Sequence, residues 1–331
     1  MSEATDVEAR VSVTVHLDPF DWARHLAATT RRGLTDSPPW IPPVWFYDEV
    51  GSKLFDEITR LSEYYPTEAE RSILRAHAEE IAERTSARTL VELGSGSSDK
   101  TTLLLDALDA HGSLQRVVPF DVSEEMLRSS ARTIAATYPA VRVDAVVGDF
   151  HRHLDRVATG DDTMIAFLGS TIGNFGPGER ARFLAAVSTT LRPGDWFLLG
   201  TDLVKSVDRL LAAYDDAAGV TACFDRNALV VMNRELDADF DPDRFAHRAH
   251  WDATAERIEM HLVADGPQHV TVRGLDDLVV DIPHGGYLRT EISTKFHRDG
   301  VAAELTAVGL TPVAGWTDDA GDFLLTLALR A

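Results

Sequence analysis

Cysteine is almost missing from this chain of 331 residues, Cys223 being the one example. That excludes a disulfide within the chain and any multi-cysteine metal site. Positive charge is scarce too: 32 Lys and Arg stand against 53 Asp and Glu, a formal net charge of −21 at pH 7. A protein that grips nucleic acid displaces counterions with a basic footprint, so DNA and RNA are not expected partners. Anionic membrane surfaces are disfavoured for the same reason. No apolar run approaches the roughly 20 residues that span a bilayer. The first residues, MSEATDVEAR, lack the basic and apolar regions of a secretory signal. These gaps predict a cytoplasmic protein, and a monomer acting on a small molecule is expected.

Two hydrolytic signatures are missing as well. Without H-E-x-x-H there is no metalloprotease helix, and without G-x-S-x-G no α/β-hydrolase nucleophile. The histidines of HRHLD (151–155) and HRAH (247–250) are two and three residues apart. They read as solvated, and no metal is expected.

What is present is an ordinary globular composition, 44% hydrophobic and 26% charged, on a chain long enough for one large domain or two. VELGSGSSDKT (91–101) ends an apolar run in a glycine loop. Asp99 occupies the position where both the dinucleotide fingerprint and the P-loop require glycine. A carboxylate there would face the phosphates such loops cradle. The loop therefore suits a nucleoside without a polyphosphate, and S-adenosylmethionine (SAM) is the common ligand of that kind.

From Thr67, which has capping-box spacing to Glu70 ahead of a helix, strands and helices alternate. Strands are predicted at 89–94, 115–121, 141–148, 163–170 and 195–202, with helices between most of them. Near-continuous apolar strands separated by helices mean a parallel sheet covered on both faces, an α/β doubly wound fold. After about residue 203 the period breaks. NALVVMNREL, FAHRAHWDA, ERIEMHLVA, HVTVRGL and YLRTEISTKF read as an antiparallel meander. A helix (VAAELTAVGL) and two closing strands then return to the first sheet. The expected organisation is a mobile tail over 1–18, in which VSVTVHL could add an edge strand, and two domains. A Rossmann-like domain takes 67–203 and 296–331. A smaller α+β domain takes 19–66 and 204–295, including the proline- and tryptophan-rich TDSPPWIPPVWFYDEVG.

Ligands of a doubly wound sheet bind at the carboxyl ends of its strands. Glu92, Asp121 and Asp149 fall there. Asp121 could accept both ribose hydroxyls, Asp149 the adenine amino group, and Phe150 could pack on the ring. Gly94 and Gly96 let backbone approach the ligand, and Lys100 could reach the methionine carboxylate. Any one of these acids alone reads equally well as a helix cap; the set favours the nucleoside. Asn174, in GSTIGNFGP, lies where an acceptor would sit, though a turn asparagine is the plainer account.

PPVWFYDEVGSKLFDEITRLSEYYPTEAE, VELGSGSSDKT, PFDVS, GDF, FLGSTIGN, LLGTDLVK, AYDDAAGVT and TEISTKF occur in this order. Together they resemble the SAM-dependent L-histidine Nα-methyltransferases of ergothioneine biosynthesis, which make hercynine. The resemblance runs from about residue 38 to the end and implies a class I methyltransferase fold with SAM as co-substrate. It places Tyr64, Gly94, Lys100, Asp121, Asp149 and Phe150 at SAM. It gives Tyr47 and Asn174 the catalytic positions, holding the amino acid's amino and carboxylate groups with Tyr214, and leaves Tyr64 open to both ligands. Glu291 and Ser293 would read the imidazole, with Met260 packed nearby. From the residues alone, Glu291 and Ser293 simply share one strand face. Two alternatives stay open: Nα-methylation of another amino acid such as tryptophan, or SAM binding without turnover.

Overall fold

The computed structural model describes residues 7–95, 100–157 and 160–331. The chain forms two compact units. Unit 1 contains the chain up to Asp18, Glu68–Leu203 and Phe296–Ala331; unit 2 contains Pro19–Thr67 and Val204–Lys295.

In chain order, β1 (Val11–Val15) belongs to unit 1, and unit 2 begins with α1 (Pro19–Leu34) and α2 (Glu49–Ile58). Then follow α3 (Pro66–Thr85), β2 (Thr89–Leu93), α4 (Thr101–His111), β3 (Arg116–Asp121), α5 (Glu124–Thr137) and β4 (Arg142–Val147). The alternation closes with β5 (Thr163–Phe167), α6 (Pro177–Thr190) and β6 (Trp196–Asp202). Unit 2 resumes with α7 (Val207–Tyr214), α8 (Val220–Leu236), β7 (Phe245–Asp252), β8 (Arg257–Ala264), β9 (Gln268–Val272), β10 (Leu278–Ile282) and β11 (Tyr287–Thr294). Unit 1 ends with α9 (Arg298–Ala307), β12 (Leu310–Thr317) and β13 (Phe323–Arg330).

Unit 1 is one eight-stranded sheet of order β1-β4-β3-β2-β5-β6-β13-β12. β1 to β6 run parallel, and β13 joins β6 antiparallel, as does β12 to β13. Every residue of β2 and β5 is buried, as a strand covered on both faces requires. The chain winds outward in both directions from the β2–β5 pair, so the crevice of a doubly wound fold opens at their carboxyl ends. Within the stretch expected to be a mobile tail, VSVTVHL does add an edge strand, over Val11–Val15. β1 pairs with β4 from Val11↔Val143 to Val15↔Val147, and Ser12 donates to Asp144 at 2.6 Å.

The capping box expected of Thr67 and Glu70 does not form. Helix α3 already begins at Pro66, and the Glu70 side chain, fully buried, turns to another task described below.

In unit 2, β11, β8 and β7 make a three-stranded antiparallel sheet, and β9 and β10 form a separate hairpin. The simple meander is thus interrupted. NALVVMNREL is not a strand but the second half of α8. Its Leu-Val-Val run favours strand locally, but Thr221, Phe224, Asp225, Ala228 and Met232 bury one helical face. The proline-rich segment runs alongside β11: the Ile41 N–H donates to the Arg289 carbonyl at 3.0 Å, and the Arg289 N–H to the Pro39 carbonyl at 2.9 Å. Asp48 caps α2 through the Gly51 N–H at 2.9 Å and takes Asn227 of α8 on the same oxygen at 2.9 Å. A Cβ on Gly51 would lie 1.6 Å from the Phe46 carbonyl oxygen. Only glycine lets the chain fold that closely and set Tyr47 and Phe55 beside Phe224.

Candidate active site

Three acidic residues of unit 1 do lie at the strand ends. Glu92, near the end of β2, is buried and accepts the Thr101 hydroxyl. Asp121 ends β3 and accepts the Ser123 N–H at 3.0 Å. Asp149 follows β4, is buried, and caps the short helical turn Phe150–His153 through the His151 N–H at 2.9 Å. The capping role is therefore real for Asp149, whereas Asp121 closes an Asx turn onto Ser123 just ahead of α5. A carboxylate offers about four acceptor positions, so a cap does not use it up. After β2 the Gly94 and Ser95 N–H groups turn back onto the Phe120 carbonyl at 2.8 and 3.2 Å. Gly94 has φ +69°, and among the described residues no atom lies within 4 Å of where a Cβ would stand; the backbone twist itself favours glycine there. Gly96 lies outside the described residues. The Phe150 ring packs on Phe167, Phe175 and Phe183 at 5.6, 5.9 and 5.9 Å between centroids. Acceptors for ribose and amine beside an apolar ring suit a nucleoside such as that of SAM.

Lys100, expected to reach the methionine carboxylate, has a partner within the protein. Its ammonium binds Glu70, whose carboxylate also accepts the Gly169 N–H at 2.9 Å on each oxygen. A Cβ on Gly200 would come within 2.1 Å of that carboxylate. A fully buried carboxylate needs a counter-charge, and Lys100 supplies it before serving any ligand. Gly169 in turn opens the loop that leads, through left-handed Ser170 at φ 58°, into the Thr171–Asn174 turn. Asn174 is half-buried on that turn, beyond the carboxyl end of β5.

Unit 2 gathers the remaining residues from four distant parts of the chain. An aromatic file runs from Tyr47 to Phe55 (5.9 Å), Phe55 to Tyr64 (6.4 Å) and Tyr64 to Tyr214 (6.0 Å), each edge to face. The Tyr214 hydroxyl meets Ser293 Oγ at 2.8 Å. On the sheet, a β-bulge at Thr290 shifts the register, so that Glu291 stands opposite Met260 rather than Glu259. A one-residue shift moves a side chain to the other face. The bulge thus puts Glu291 on the face of buried Met260, with Ser293 next along it. Burial, reinforced by nearby Asp225 and opposed by Lys295, pushes the Glu291 carboxyl up to about 7.

The chain matches the model of a family described as histidine-specific, SAM-dependent methyltransferases over residues 26–330. It belongs to that family. The histidine N-alpha-methyltransferase of Mycobacterium tuberculosis is 54% identical over 97% of this chain and 100% of that protein. Its counterpart in Mycolicibacterium smegmatis is 54% identical over 97% of this chain and 99% of that one. Ergothioneine biosynthesis protein 1 of Schizosaccharomyces pombe is 33% identical over 65% of this chain and 31% of its own length. The eight-stranded, doubly wound sheet is accordingly that of a SAM-dependent methyltransferase.

Several groups of this histidine-specific methyltransferase escaped sequence reasoning. His247, read as solvated, is buried: its Nδ1 lies 2.6 Å from Asp225 Oδ2, and its Nε2 donates to the Tyr214 carbonyl at 2.8 Å. Burial works against a charge on the ring, but Asp225 and that carbonyl outweigh it and raise the His247 pKa. Lys295 is buried beside Tyr214 and Ser293. Alternation along FAHRAH and TEISTKF would have put these side chains on definite faces, but not said which face is covered.

Proposed function

We propose that the enzyme transfers methyl groups from SAM to the α-amine of L-histidine, three times in succession, to give hercynine for ergothioneine biosynthesis. One observation carries the choice of acceptor: Tyr214, at the end of the aromatic file, is hydrogen-bonded to Ser293 beside Glu291 and Met260. Hydroxyls suited to an amino acid's amine and carboxylate are thereby joined to polar groups suited to an imidazole.

SAM supplies an electrophilic methyl group on a sulfonium. In unit 1, Asp121 and Asp149 hold the nucleoside by accepting its hydroxyl and amino hydrogens, and Phe150 offers a ring to the base. In unit 2, Tyr47, Tyr64 and Tyr214 orient the amine. Phenols suit this task because they do not fix the amine as an ammonium, and only the free amine has the lone pair that attacks. Asn174 keeps the amine- and carboxylate-binding role that the family resemblance gives it. The rest of the rate comes from alignment and exclusion of water rather than from a strong acid or base. Aromatic faces in the file also favour the quaternary cation that accumulates on the nitrogen. Glu291 accepts a ring N–H, and Met260 bounds the space beside it.

The test is to mix purified protein with SAM and free amino acids and to follow mass gains of one, two and three methyl groups. Gains on histidine, located on the α-nitrogen by fragmentation, are expected. Methylation of a ring nitrogen, or of other amino acids in preference, would overturn the assignment.

A further inference from the structure

His153, the second histidine of HRHLD, sits behind the turn assigned to the base of SAM. Asp149 and Phe150 carry that assignment, and both lie at the start of the short helical turn that His153 ends. The His153 backbone N–H donates to the Asp149 carbonyl at 2.8 Å, while the Asp149 N–H donates to His153 Nδ1 at 3.1 Å. The turn is thus clasped from both ends. The Asp149 carboxylate accepts the His151 N–H, and the His153 ring accepts the Asp149 N–H. Gly148 leaves little room beside this clasp: a Cβ on it would lie 2.8 Å from the Phe120 ring and 3.3 Å from His153 Cβ.

The ring bond has one possible direction. A backbone N–H can only donate, so Nδ1 must offer its lone pair, and the neutral ring carries its hydrogen on Nε2. An imidazolium has N–H on both nitrogens. Its Nδ1–H would face the Asp149 N–H, donor against donor, and the turn would have to open. The ring is half-buried. His16 stacks on it at 6.1 Å between centroids, just past the end of β1, where the His16 N–H donates to the Val147 carbonyl at 2.9 Å. Burial, helped by Arg152 and His16 and opposed by Asp149 and Asp155, holds the His153 pKa below its ordinary value. The clasp is therefore intact at neutral pH.

We propose that His153 is a positioning residue for SAM: its bare Nδ1 holds the Asp149–Phe150 turn in the shape that receives adenine, and protonating the ring releases the turn and weakens SAM binding. The inference rests on the reading that puts Asp149 and Phe150 at the base, and gives that turn a proton-sensitive support.

The test is calorimetry of SAM binding, without histidine, between pH 7 and pH 5. Wild-type affinity should fall about three- to tenfold over that range, the worth of one hydrogen bond. His153→Asn puts an amide oxygen where Nδ1 stands and does not titrate. It should match wild type at pH 7 and keep that affinity at pH 5. His153→Leu has no acceptor and should bind as weakly at pH 7 as wild type does at pH 5. A histidine that merely packs would be replaced by leucine without this loss. A fall with pH shared by wild type and His153→Asn would put the proton elsewhere, and either result overturns the proposal. Should His153→Leu fail to fold, reciprocity still decides. SAM must lower the His153 pKa by the factor by which protonation weakens SAM binding. An NMR titration of the ring showing the same or a higher pKa with SAM bound would sink the idea. Asp149→Ala with unaltered SAM affinity removes the parent reading, and this one with it. A loss there, beside a wild type indifferent to pH, removes this inference alone.

Discussion

Asp225 and His247 form a buried pair whose Oδ2 and Nδ1 are 2.6 Å apart, and the other nitrogen of the same ring holds the Tyr214 carbonyl. Both side chains are essentially inaccessible, 0% and 1% exposed. Tyr214 is the last residue of α7, so the pair secures the end of that helix and with it the phenol that meets Ser293. His247 binds its proton more tightly in the folded protein than in the unfolded chain. Its contribution is therefore complete below about pH 6.5 and fades as pH rises through the folded pKa. His247→Gln should cost about 3–5 kcal/mol at pH 6, since it leaves Asp225 buried without its partner. The gap to wild type should narrow at alkaline pH. Urea unfolding at a series of pH values measures both; a gap independent of pH would mean that the ring is never charged.

Asp121 is the strand-end acid expected to bind the SAM ribose. Asp121→Ala should weaken SAM binding by about 1.5–3 kcal/mol, the worth of hydrogen bonds to a charged acceptor. Its Asx turn onto Ser123 is local, so the melting temperature should change little. Calorimetry showing unaltered SAM affinity would remove Asp121 from the site and leave it a turn residue.

Much of unit 1 could be read from the sequence because parallel strands buried on both faces are written as unbroken apolar runs with glycine and proline punctuation between them. All five predicted parallel strands lie within two or three residues of β2 to β6. Unit 2 was less legible. NALVVMNREL carries strand-forming residues on a helical face, and tertiary burial overrode local preference. The β10 strand was missed, and the hairpin it forms with β9 divides the sheet order. No residue at 290 announces a bulge, yet that bulge decides which face Glu291 joins. Glu70 and His247 show a further limit. Their types fitted a cap and a solvated strand, and only the fold revealed that each is an enclosed half of an ion pair.

Glu70 and Gly200 offer a test of that enclosure. Glu70→Ala should destabilise the protein by about 3–5 kcal/mol, because Lys100 and the Gly169 N–H lose their acceptor. Gly200→Ala should also be costly, since its Cβ would meet the Glu70 carboxylate at 2.1 Å. The double variant should lose less than the sum, the clash having been removed along with the carboxylate. Strict additivity in thermal unfolding would show that Gly200 is needed for another reason.

Glu291 ties stability to substrate binding through pH. Raising its pKa from 4.5 to about 7 means the folded state holds a proton that the unfolded chain has released. Stability from this group is thus highest below about pH 4.5, falls as pH rises to 7, and is flat above. The full penalty is about 3 kcal/mol. Glu291→Gln should be more stable than wild type at pH 8 and indistinguishable near pH 4. Histidine affinity should run the other way in the wild type, improving as pH rises through 7 and the carboxylate becomes a stronger acceptor. Parallel pH courses for the two proteins in unfolding experiments would contradict an elevated Glu291 pKa.

Side-chain choice follows from the same face of the sheet. Histidine differs from other amino acids by its two ring nitrogens, so selectivity needs partners fixed in place for both. The bulge at Thr290 sets Glu291 across from Met260, which makes one residue the polar test of the ring and the other the limit on its size. Glu291→Ala should therefore reduce histidine turnover severely, by on the order of 100-fold or more, because the ring N–H loses its acceptor. SAM affinity should hardly change. Adding Met260→Ala enlarges the space just where the polarity requirement has been lifted, and the double variant should accept tryptophan. Competition between histidine and tryptophan, run on wild type and both variants, reads this directly. If the preference is the same in all three, Glu291 is an ordinary strand residue and the ring is recognised elsewhere.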